Sequence, residues 1–246
     1  MERRLIAGVV IAVALVLAAV VSTTLYLLYK PVALSIPPSD YSTLYKVINL
    51  RHREDRRRRM EAEFAAAGIG SYAFVEAENG KHLILAPSLQ KIFAGNDFAW
   101  HRGVLGCALS HYKLWKALLA DSEHDHYIVL EDDIKLCTEF SDKVQKVLAA
   151  AKPYDVIFLS YTVPKKQLQQ AATLTVRPLH ASLYVGGTFA YYVSKRGATA
   201  MVAHWETVGI RRAIDAEMVF NMKGVRFGEC NPFLASTQSL ETDIGR

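Results

Sequence analysis

The chain has 246 residues, 51% of them hydrophobic, and a formal net charge of +5. This length allows one membrane segment and one domain of about 200 residues. A domain of that size can bury a full hydrophobic core without disulfide bonds or a structural metal. Because the chain has three cysteines and no CxxC pair, a disulfide scaffold is excluded. The modest charge gives mild support for an anionic ligand, and the arginine cluster at residues 51–59 lacks the interleaved aromatic residues that stack on bases, so nucleic acid is not an expected partner.

The N-terminus predicts a membrane anchor. Leu5–Val21 is an unbroken apolar run that extends to Tyr29, and a bilayer core needs only about 20 such residues. The run is too long for a cleaved signal peptide, and no small-residue cleavage site follows it. We therefore expect residues 1–30 to form a cytoplasmic tip and a transmembrane signal-anchor, and the proline-containing residues 31–43 to form a stem.

The positive charges around this run predict its orientation. Arg3, Arg4 and the terminal amine precede it, while Lys30 and Lys46 follow it, which favours a cytoplasmic N-terminus. The chain is then a single-pass type II membrane protein whose domain, residues 44–246, faces the lumen of the endoplasmic reticulum or Golgi. With the opposite orientation, a bacterial inner-membrane protein is the better interpretation.

Beyond the stem, strand-like and helix-like apolar patterns alternate along the chain. The segment from Glu76 to Arg102 is only weakly periodic and is predicted to form loops. The alternation predicts an α/β fold, a three-layer α/β/α domain with a mostly parallel sheet. The predicted elements are a strand at Leu44–Leu50, a helix at Glu54–Ala67, a strand at Tyr72–Val75, a helix at Gly106–Ala120, a strand at Tyr127–Leu130, a helix from the N-cap Ser141 to Ala151, a strand at Tyr154–Leu159 and one or two strands within Leu183–Val193.

Three consecutive carboxylates, Glu131, Asp132 and Asp133, follow the strand at Tyr127–Leu130. Neighbouring carboxylates repel each other, so such a cluster usually needs a nearby cation to stay ionised. Oxygen ligands without a matching His or Cys partner favour Mg²⁺ or Mn²⁺ over zinc. Because alternate residues of an extended chain point the same way, Glu131 and Asp133 are expected to face one site and Asp132 the other side. The alternative is a solvated turn at the end of the strand.

Several segments share their order and spacing with a known family. They are Val47–Leu50 with Arg53 and Asp55–Arg56, Gly103–His111 with Trp115, Val129–Asp133, Tyr154–Asp155, Gly187–Tyr192, Gly197–Ala198, Ile214–Asp215 and Glu241–Ile244. Together they resemble glycosyltransferase family 25, the lipopolysaccharide and collagen-type galactosyltransferases, over about residues 44–244. Ser160, where the family often has glycine, and Glu78–Gly80, in place of a more usual Asp-Gly, depart from the pattern.

The resemblance implies a GT-A-type fold, a nucleotide-sugar donor, commonly UDP-galactose, and transfer of the sugar to a hydroxyl acceptor. It also implies that the acidic cluster binds Mn²⁺ or Mg²⁺, which neutralises the charge developing on the leaving UDP. Asp133 is the first choice as metal ligand and as catalytic residue, Glu131 is a second ligand, and Asp132 is assigned to donor binding. Asp243, near the C-terminus, is a further candidate ligand, and a frayed terminus without a role is the alternative.

Asp215 is the second candidate catalytic residue. Its carboxylate could orient or deprotonate the acceptor hydroxyl, as a general base does. The alternatives are a helix N-cap and a salt bridge with Arg211 or Arg212.

The remaining candidates belong to the donor pocket. Asn49 and Arg53 follow the first strand, where a GT-A domain binds the base and ribose, and Arg56 is a candidate phosphate contact or else a surface ion pair. Ser110-His111 is expected to line the donor pocket or to hold its helix against the sheet. The two are not a nucleophile–base pair, because adjacent residues of a helix do not face each other. Trp100 is either a core residue or, because its segment is irregular, a stacking surface for a sugar.

The leading interpretation is a membrane-anchored, metal-dependent glycosyltransferase that moves a hexose, with galactose expected, from a UDP-sugar to a hydroxyl on a glycan, a lipopolysaccharide or a protein. A lumenal domain fits this activity, since the endoplasmic reticulum and Golgi import such donors. One alternative is a metal-dependent phosphodiesterase, which would want additional His or Asp ligands for a two-metal site. The other is a non-catalytic, membrane-tethered relative that binds a sugar or a partner, which loss of the acidic cluster would have favoured.

Overall fold

The computed structural model describes residues 44–164 and 171–238. The expected signal-anchor at residues 1–30, the stem at residues 31–43 and the candidate ligand Asp243 lie outside the described residues. Among the helices within the described ranges, none is both long enough and apolar enough to cross a membrane.

Strands and helices are interspersed along the described residues, with some consecutive strands and some consecutive helices. The strands are β1 (Tyr45–Asn49), β2 (Tyr72–Glu76), β3 (His126–Glu131), β4 (Ile134–Leu136), β5 (Val156–Thr162), β6 (Thr175–Pro178), β7 (Gly186–Ser194), β8 (Phe227–Asn231) and β9 (Ala235–Thr237). The helices are α1 (Glu54–Ala66), α2 (Pro87–Ile92), α3 (Arg102–Ala120), α4 (Phe140–Ala150), α5 (Lys195–Thr207) and α6 (Ile214–Asn221). Helix α2 and a 3-10 turn at Gly80–His82 lie in the segment where only loops are expected.

Seven strands form one sheet in the order β2-β1-β3-β7-β5-β8-β6, and β4 pairs with β9 in a small second sheet. Strands β1, β2, β3, β5 and β8 point the same way, while β7 and β6 run against them. The prediction of an α/β fold with a mostly parallel sheet is therefore confirmed for strand direction. Because β7 stands between β3 and β5, both pairings at the centre of the sheet are antiparallel.

Helices cover both faces of the sheet. One core contains side chains of α3, α5 and α6, and the other contains side chains of α1 and α4. Strand β3 contributes to both, since Tyr127 and Val129 pack in the first core and Ile128 and Leu130 pack in the second. Burial on two faces explains why the apolar run of this strand is uninterrupted.

One boundary prediction is wrong. Helix α4 begins at Phe140, and Glu139 occupies the N-cap position without a side-chain cap bond. The Phe140 ring is fully buried, which places the first turn of the helix one residue before Ser141. Ser141 therefore lies inside α4 and is not its N-cap.

Candidate active site

A cavity of about 570 Å³ opens at the edge of the sheet where the parallel strands β1, β2 and β3 end. Its walls come from the ends of β1 and β3, the loop after β2, and the first half of α3 with the residues just before it. Ligands of parallel sheets collect at this edge. The predicted site residues that line the cavity are Arg56, Ser110, His111, Glu131, Asp132 and Asp133. Asn49, Arg53 and Asp215 do not line it.

The three carboxylates of the acidic cluster have different surroundings. Asp132 is buried and accepts hydrogen bonds from Asn49 Nδ2 at 2.7 Å and from Arg56 Nη1 at 2.9 Å. Glu131 is partly exposed in the cavity wall, and its Oε1 accepts a 2.7 Å hydrogen bond from Thr188 Oγ1. The middle carboxylate is thus held inside the protein, whereas the carboxylate before it faces the cavity.

Asp133 is the least satisfied carboxylate of the cluster. Its Oδ2 lies 3.3 Å from Arg56 Nη1, while its buried Oδ1 has no hydrogen-bond partner among residues 44–164 and 171–238. Burial and, secondly, the negative charge of Glu131 raise the pKa of Asp133 to about 6. A cation beside Oδ1 would favour the ionised carboxylate, so the chemistry of this position fits a divalent cation.

The candidate donor residues on and after β1 are occupied by protein contacts. Asn49 Nδ2 also donates to the Arg53 carbonyl at 3.2 Å, which ties the end of β1 to the turn that follows. The Arg53 guanidinium donates two 2.9 Å hydrogen bonds to Asp55. Arg56 is buried, with 6% exposure, and pairs with Asp132 and Asp133. The surface ion pair considered for Arg56 is therefore wrong, because this ion pair is internal.

Ser110 joins α3 to the loop after β2. Its hydroxyl accepts from the Glu78 backbone N–H at 2.8 Å and donates to the Gly106 carbonyl at 2.7 Å. The two segments touch through backbone, because a Cβ at Gly106 would lie 2.4 Å from the Glu78 carbonyl oxygen. A Cβ at Gly80 would likewise lie 1.8 Å from the Arg102 carbonyl oxygen. Both glycines are thus needed for the close approach that forms this wall.

Gly106→Ala is expected to destabilise the protein, although alanine normally favours a helix interior over glycine by about 0.5–1 kcal/mol. The added methyl group would clash with backbone atoms, which cannot change rotamer as a side chain can. We therefore expect the free energy of unfolding to fall by about 1–3 kcal/mol. Chemical denaturation of the variant and the wild type measures this change in the free energy of unfolding. Gly70→Ala is the matched control, because Gly70 has open space around its Cβ position and no left-handed backbone. Equal stability of the two variants would contradict the packing argument.

A second group of possible ligands was missed by reasoning from the sequence. Cys107, His111 and Glu131 bring a sulfur, a ring nitrogen and a carboxylate oxygen within 4.8 Å of one another. The expectation that the carboxylates lack a His or Cys partner is therefore wrong. The sequence feature that could have revealed this group is the four-residue spacing of Cys107 and His111, which places both residues on one face of α3.

The thiol of this second group favours its protonated form. Burial, followed by the charges of Glu131, Asp215 and Asp133, raises the pKa of Cys107 well above its usual value. A metal binds the thiolate and not the thiol. A metal ion that binds this group would therefore have to release the thiol proton.

Asp215 lies in the first turn of α6, close to the cavity but not in its wall. Its Oδ2 accepts a 2.6 Å hydrogen bond from the Gly187 N–H, and its Oδ1 accepts one of 2.8 Å from the Ala216 N–H. The N-cap of α6 is Ala213, and within the described residues Asp215 forms no ion pair with either arginine before it. Both structural alternatives for Asp215 are therefore wrong. Burial and, after it, the charges of Asp215 and Glu131 raise the pKa of Tyr184, so both carboxylates lie near this side chain.

Trp100 lies in the cavity wall on strained backbone. Ala99 and Trp100 have φ angles of 49° and 59°, which non-glycine residues rarely adopt. The Trp100 N–H donates to Asn96 Oδ1 at 3.0 Å, which helps to hold this conformation. The residue is 37% exposed and lines the cavity, so it offers an aromatic side chain there.

Comparison with known proteins identifies relatives of this chain. Residues 43–218 match the family described as "Glycosyltransferase family 25 (LPS biosynthesis protein)". "Putative glycosyltransferase R655" of Acanthamoeba polyphaga mimivirus is 34% identical over 206 residues, covering 80% of this chain and 63% of that protein. "Procollagen galactosyltransferase 1-B" of Xenopus laevis is 31% identical over 168 residues, covering 63% of this chain and 27% of that protein.

Among solved structures, A197 from STIV aligns with a TM-score of 0.44 and 11% identity over 81% of this chain and 85% of that chain. The chain spans less than two thirds of the length of the mimiviral and frog relatives. The family match covers most of the described residues, from β1 into α6, and includes every wall segment of the cavity. The chain therefore belongs to glycosyltransferase family 25.

Proposed function

We propose that this chain is a metal-dependent glycosyltransferase that moves a hexose, galactose in the first place, from a UDP-sugar to a hydroxyl acceptor. The observation that carries the proposal is the pair Glu131 and Asp133 in the cavity wall, with the buried Oδ1 of Asp133 lacking a partner among the described residues. Galactose is the first choice because the frog relative is named a procollagen galactosyltransferase. A GT-A-type fold over residues 44–246 belongs to the same proposal.

Glu131 and Asp133 are the described residues that would hold Mn²⁺ or Mg²⁺, since carboxylate oxygens suit hard cations. Such an ion, when bound, neutralises negative charge on a diphosphate. Asp243 stays a candidate third ligand outside the described residues.

The cavity also suits the remainder of a nucleotide sugar. Its volume of about 570 Å³ is in the usual range for small-molecule sites. Lys81 and Arg102 line it, and the N-terminus of the long helix α3 opens at its wall, so anionic groups are favoured there. Trp100 offers a flat surface on which a base or sugar ring can stack.

Asp215 is the proposed residue for the acceptor hydroxyl. Two backbone N–H groups hold its carboxylate in a fixed orientation, as the positioning of an acceptor hydroxyl requires. The acceptor would then approach from the Gly187 side of Glu131. A glycan, a lipopolysaccharide or a protein can each supply such a hydroxyl.

Membrane anchoring and location complete the proposal. They rest on the apolar run Leu5–Val21, which predicts a type II protein with its domain in the endoplasmic reticulum or Golgi lumen. Protection of a C-terminal tag from protease in microsomes tests this orientation. Digestion of the tag in intact microsomes would instead favour the orientation of a bacterial inner-membrane enzyme.

The activity itself is tested with a panel of UDP-sugars, Mn²⁺ and mixed acceptors, with and without a chelator. A glycosyltransferase releases UDP and adds a hexose to the acceptor, whereas a phosphodiesterase splits the diphosphate and releases UMP. A non-catalytic relative would bind a donor without releasing either product. Transfer that survives the chelator would contradict the metal dependence, and release of UMP would contradict the reaction class.

A further inference from the structure

A buried hydrogen-bond network leads from the core to the cavity wall. Trp115 Nε1 lies 3.1 Å from Tyr191 Oη, which lies 2.8 Å from His111 Nδ1. On the other side of the ring, His111 Nε2 lies 3.1 Å from Thr188 Oγ1, which lies 2.7 Å from Glu131 Oε1. The first four side chains are at most 2% exposed, so their polar groups must be satisfied within the protein.

The two ends of this network fix the direction of every hydrogen bond in it. The Trp115 indole can only donate, so the Tyr191 oxygen accepts from it. The buried Tyr191 proton has no other acceptor among the described residues, so it goes to His111 Nδ1. The Thr188 hydroxyl donates its proton to Glu131 Oε1, so the Thr188 oxygen accepts from His111 Nε2. Only the His111 tautomer with its proton on Nε2 satisfies all four contacts and also gives the buried Tyr191 proton an acceptor.

We propose that Thr188 is the positioning residue of Glu131. Its hydrogen bond orients the Glu131 carboxylate, and the same network engages both ring nitrogens of His111. His111 then cannot ligate a metal together with Cys107, because its Nε2 lone pair is protonated. Glu131 Oε2, which has no hydrogen bond among the described residues, is the oxygen left for a ligand in the cavity. The consequence for metal binding rests on the proposed function, whereas the network itself does not.

The tautomer is tested on metal-free protein with ¹⁵N-labelled histidine rings, measured by NMR, with His111→Gln identifying the signals. We expect a protonated Nε2 and an unprotonated Nδ1 on His111. Tyr191→Phe removes the donor to Nδ1 and should change the Nδ1 signal. A proton on Nδ1 in the wild type, or on both nitrogens, would overturn the proposal whether or not the protein transfers sugar.

The positioning role is tested by Mn²⁺ affinity, measured by titration calorimetry without any substrate turnover. Loss of an outer group that orients a ligand costs about 10–100-fold in metal affinity, and we expect this loss for Thr188→Val. Thr188→Ser keeps the hydroxyl and should bind Mn²⁺ nearly as the wild type does. Thr199→Val is the matched control, because Thr199 is exposed on α5 and its hydroxyl bonds only its own helix.

A double-mutant cycle separates positioning from a general effect on folding. If Thr188 acts through Glu131, Thr188→Val has no further effect on Mn²⁺ affinity in a Glu131→Ala background. Unchanged Mn²⁺ affinity in Thr188→Val, or an equal loss in both backgrounds, would overturn the positioning role. If Thr188→Val fails to fold, the Mn²⁺ affinity of Thr188→Ser and the His111 tautomer of the wild type test the proposal instead. If the wild type binds no Mn²⁺, the proposed metal dependence is contradicted. The NMR measurement of the His111 tautomer still tests the hydrogen-bond network in that case.

Discussion

Asp133→Asn is expected to abolish most of the sugar transfer and, in the metal-free protein at pH 7.5, to stabilise the fold. A metal ion stabilises transition-state charge by several kcal/mol, and each 1.36 kcal/mol is tenfold in rate, so we expect a loss of about 10²–10³-fold. The fold gains stability because burial and the negative charge of Glu131 outweigh the ion pair of Asp133 with Arg56, so the folded protein favours an uncharged side chain here. Asparagine has nearly the same shape and no charge.

The stability effect depends on pH in a defined direction. The pKa of Asp133 is raised to about 6 in the folded protein, so between its unfolded value and pH 6 the native state binds more protons than the unfolded state. The free energy of unfolding of the metal-free wild type therefore falls as pH rises through this window, by at most about 3 kcal/mol. Asp133→Asn lacks this term, so its advantage grows from pH 4 to pH 6 and then stays constant.

Urea unfolding at pH 4.5 and 7.5, with and without Mn²⁺, measures this balance. Mn²⁺ binds the ionised carboxylate, so it should stabilise the wild type more at pH 7.5 than at pH 4.5 and should have little effect on Asp133→Asn. Asp142→Asn is the matched control, since Asp142 is exposed on α4. An Asp133→Asn variant that transfers sugar at the wild-type rate would contradict the assignment of Asp133 as a metal ligand.

The acidic cluster could be located from the sequence because two local patterns agree. An uninterrupted apolar run from Tyr127 to Leu130 specifies a strand buried on both faces, and the carboxylates that follow can only lie where the strand leaves the core. The edge of the sheet then follows from strand direction, since β1, β2 and β3 are parallel. The first step needs only local information, whereas the second depends on the pairing of β1 with β3.

Thr188 and Tyr191 could not be placed in the same way. In a regular strand, residues three apart point to opposite faces, yet both of these side chains contact His111. The pairing of β5 with β7 shifts register on both sides of Ser160, and an irregularity of this kind turns side chains to the other face. The shift arises from strand pairing and not from a local sequence signal.

The role of Arg56 also depends on contacts that no local pattern contains. Its position in a run of charged residues on α1 predicts an exposed side chain, but the guanidinium is buried against Asp132 and Asp133, which lie 76 and 77 residues away. Only packing of α1 beside the end of β3 creates this environment. A buried cation between two carboxylates holds them in place, whereas an exposed cation in the cavity would be available to bind a phosphate.

Arg56→Met should therefore act on stability first. It removes the cation and leaves two largely buried carboxylates without it, a change that costs about 3–5 kcal/mol when one partner of a buried ion pair is lost. The loss should be smaller at pH 4.5 than at pH 7.5, because protonation of these carboxylates removes the uncompensated charge. Urea unfolding at both pH values measures the difference.

Arg58→Met is the matched control for this prediction, because Arg58 is on the same helix, is 74% exposed and lies 3.9 Å from Glu54. An exposed pair of this kind contributes at most about 1 kcal/mol, so the control should unfold close to the wild type. If Arg56 instead contacts a donor phosphate, its replacement would raise the KM for the UDP-sugar and leave the free energy of unfolding near that of Arg58→Met. The ratio of these two effects thus decides whether Arg56 holds the carboxylates in place or binds the donor.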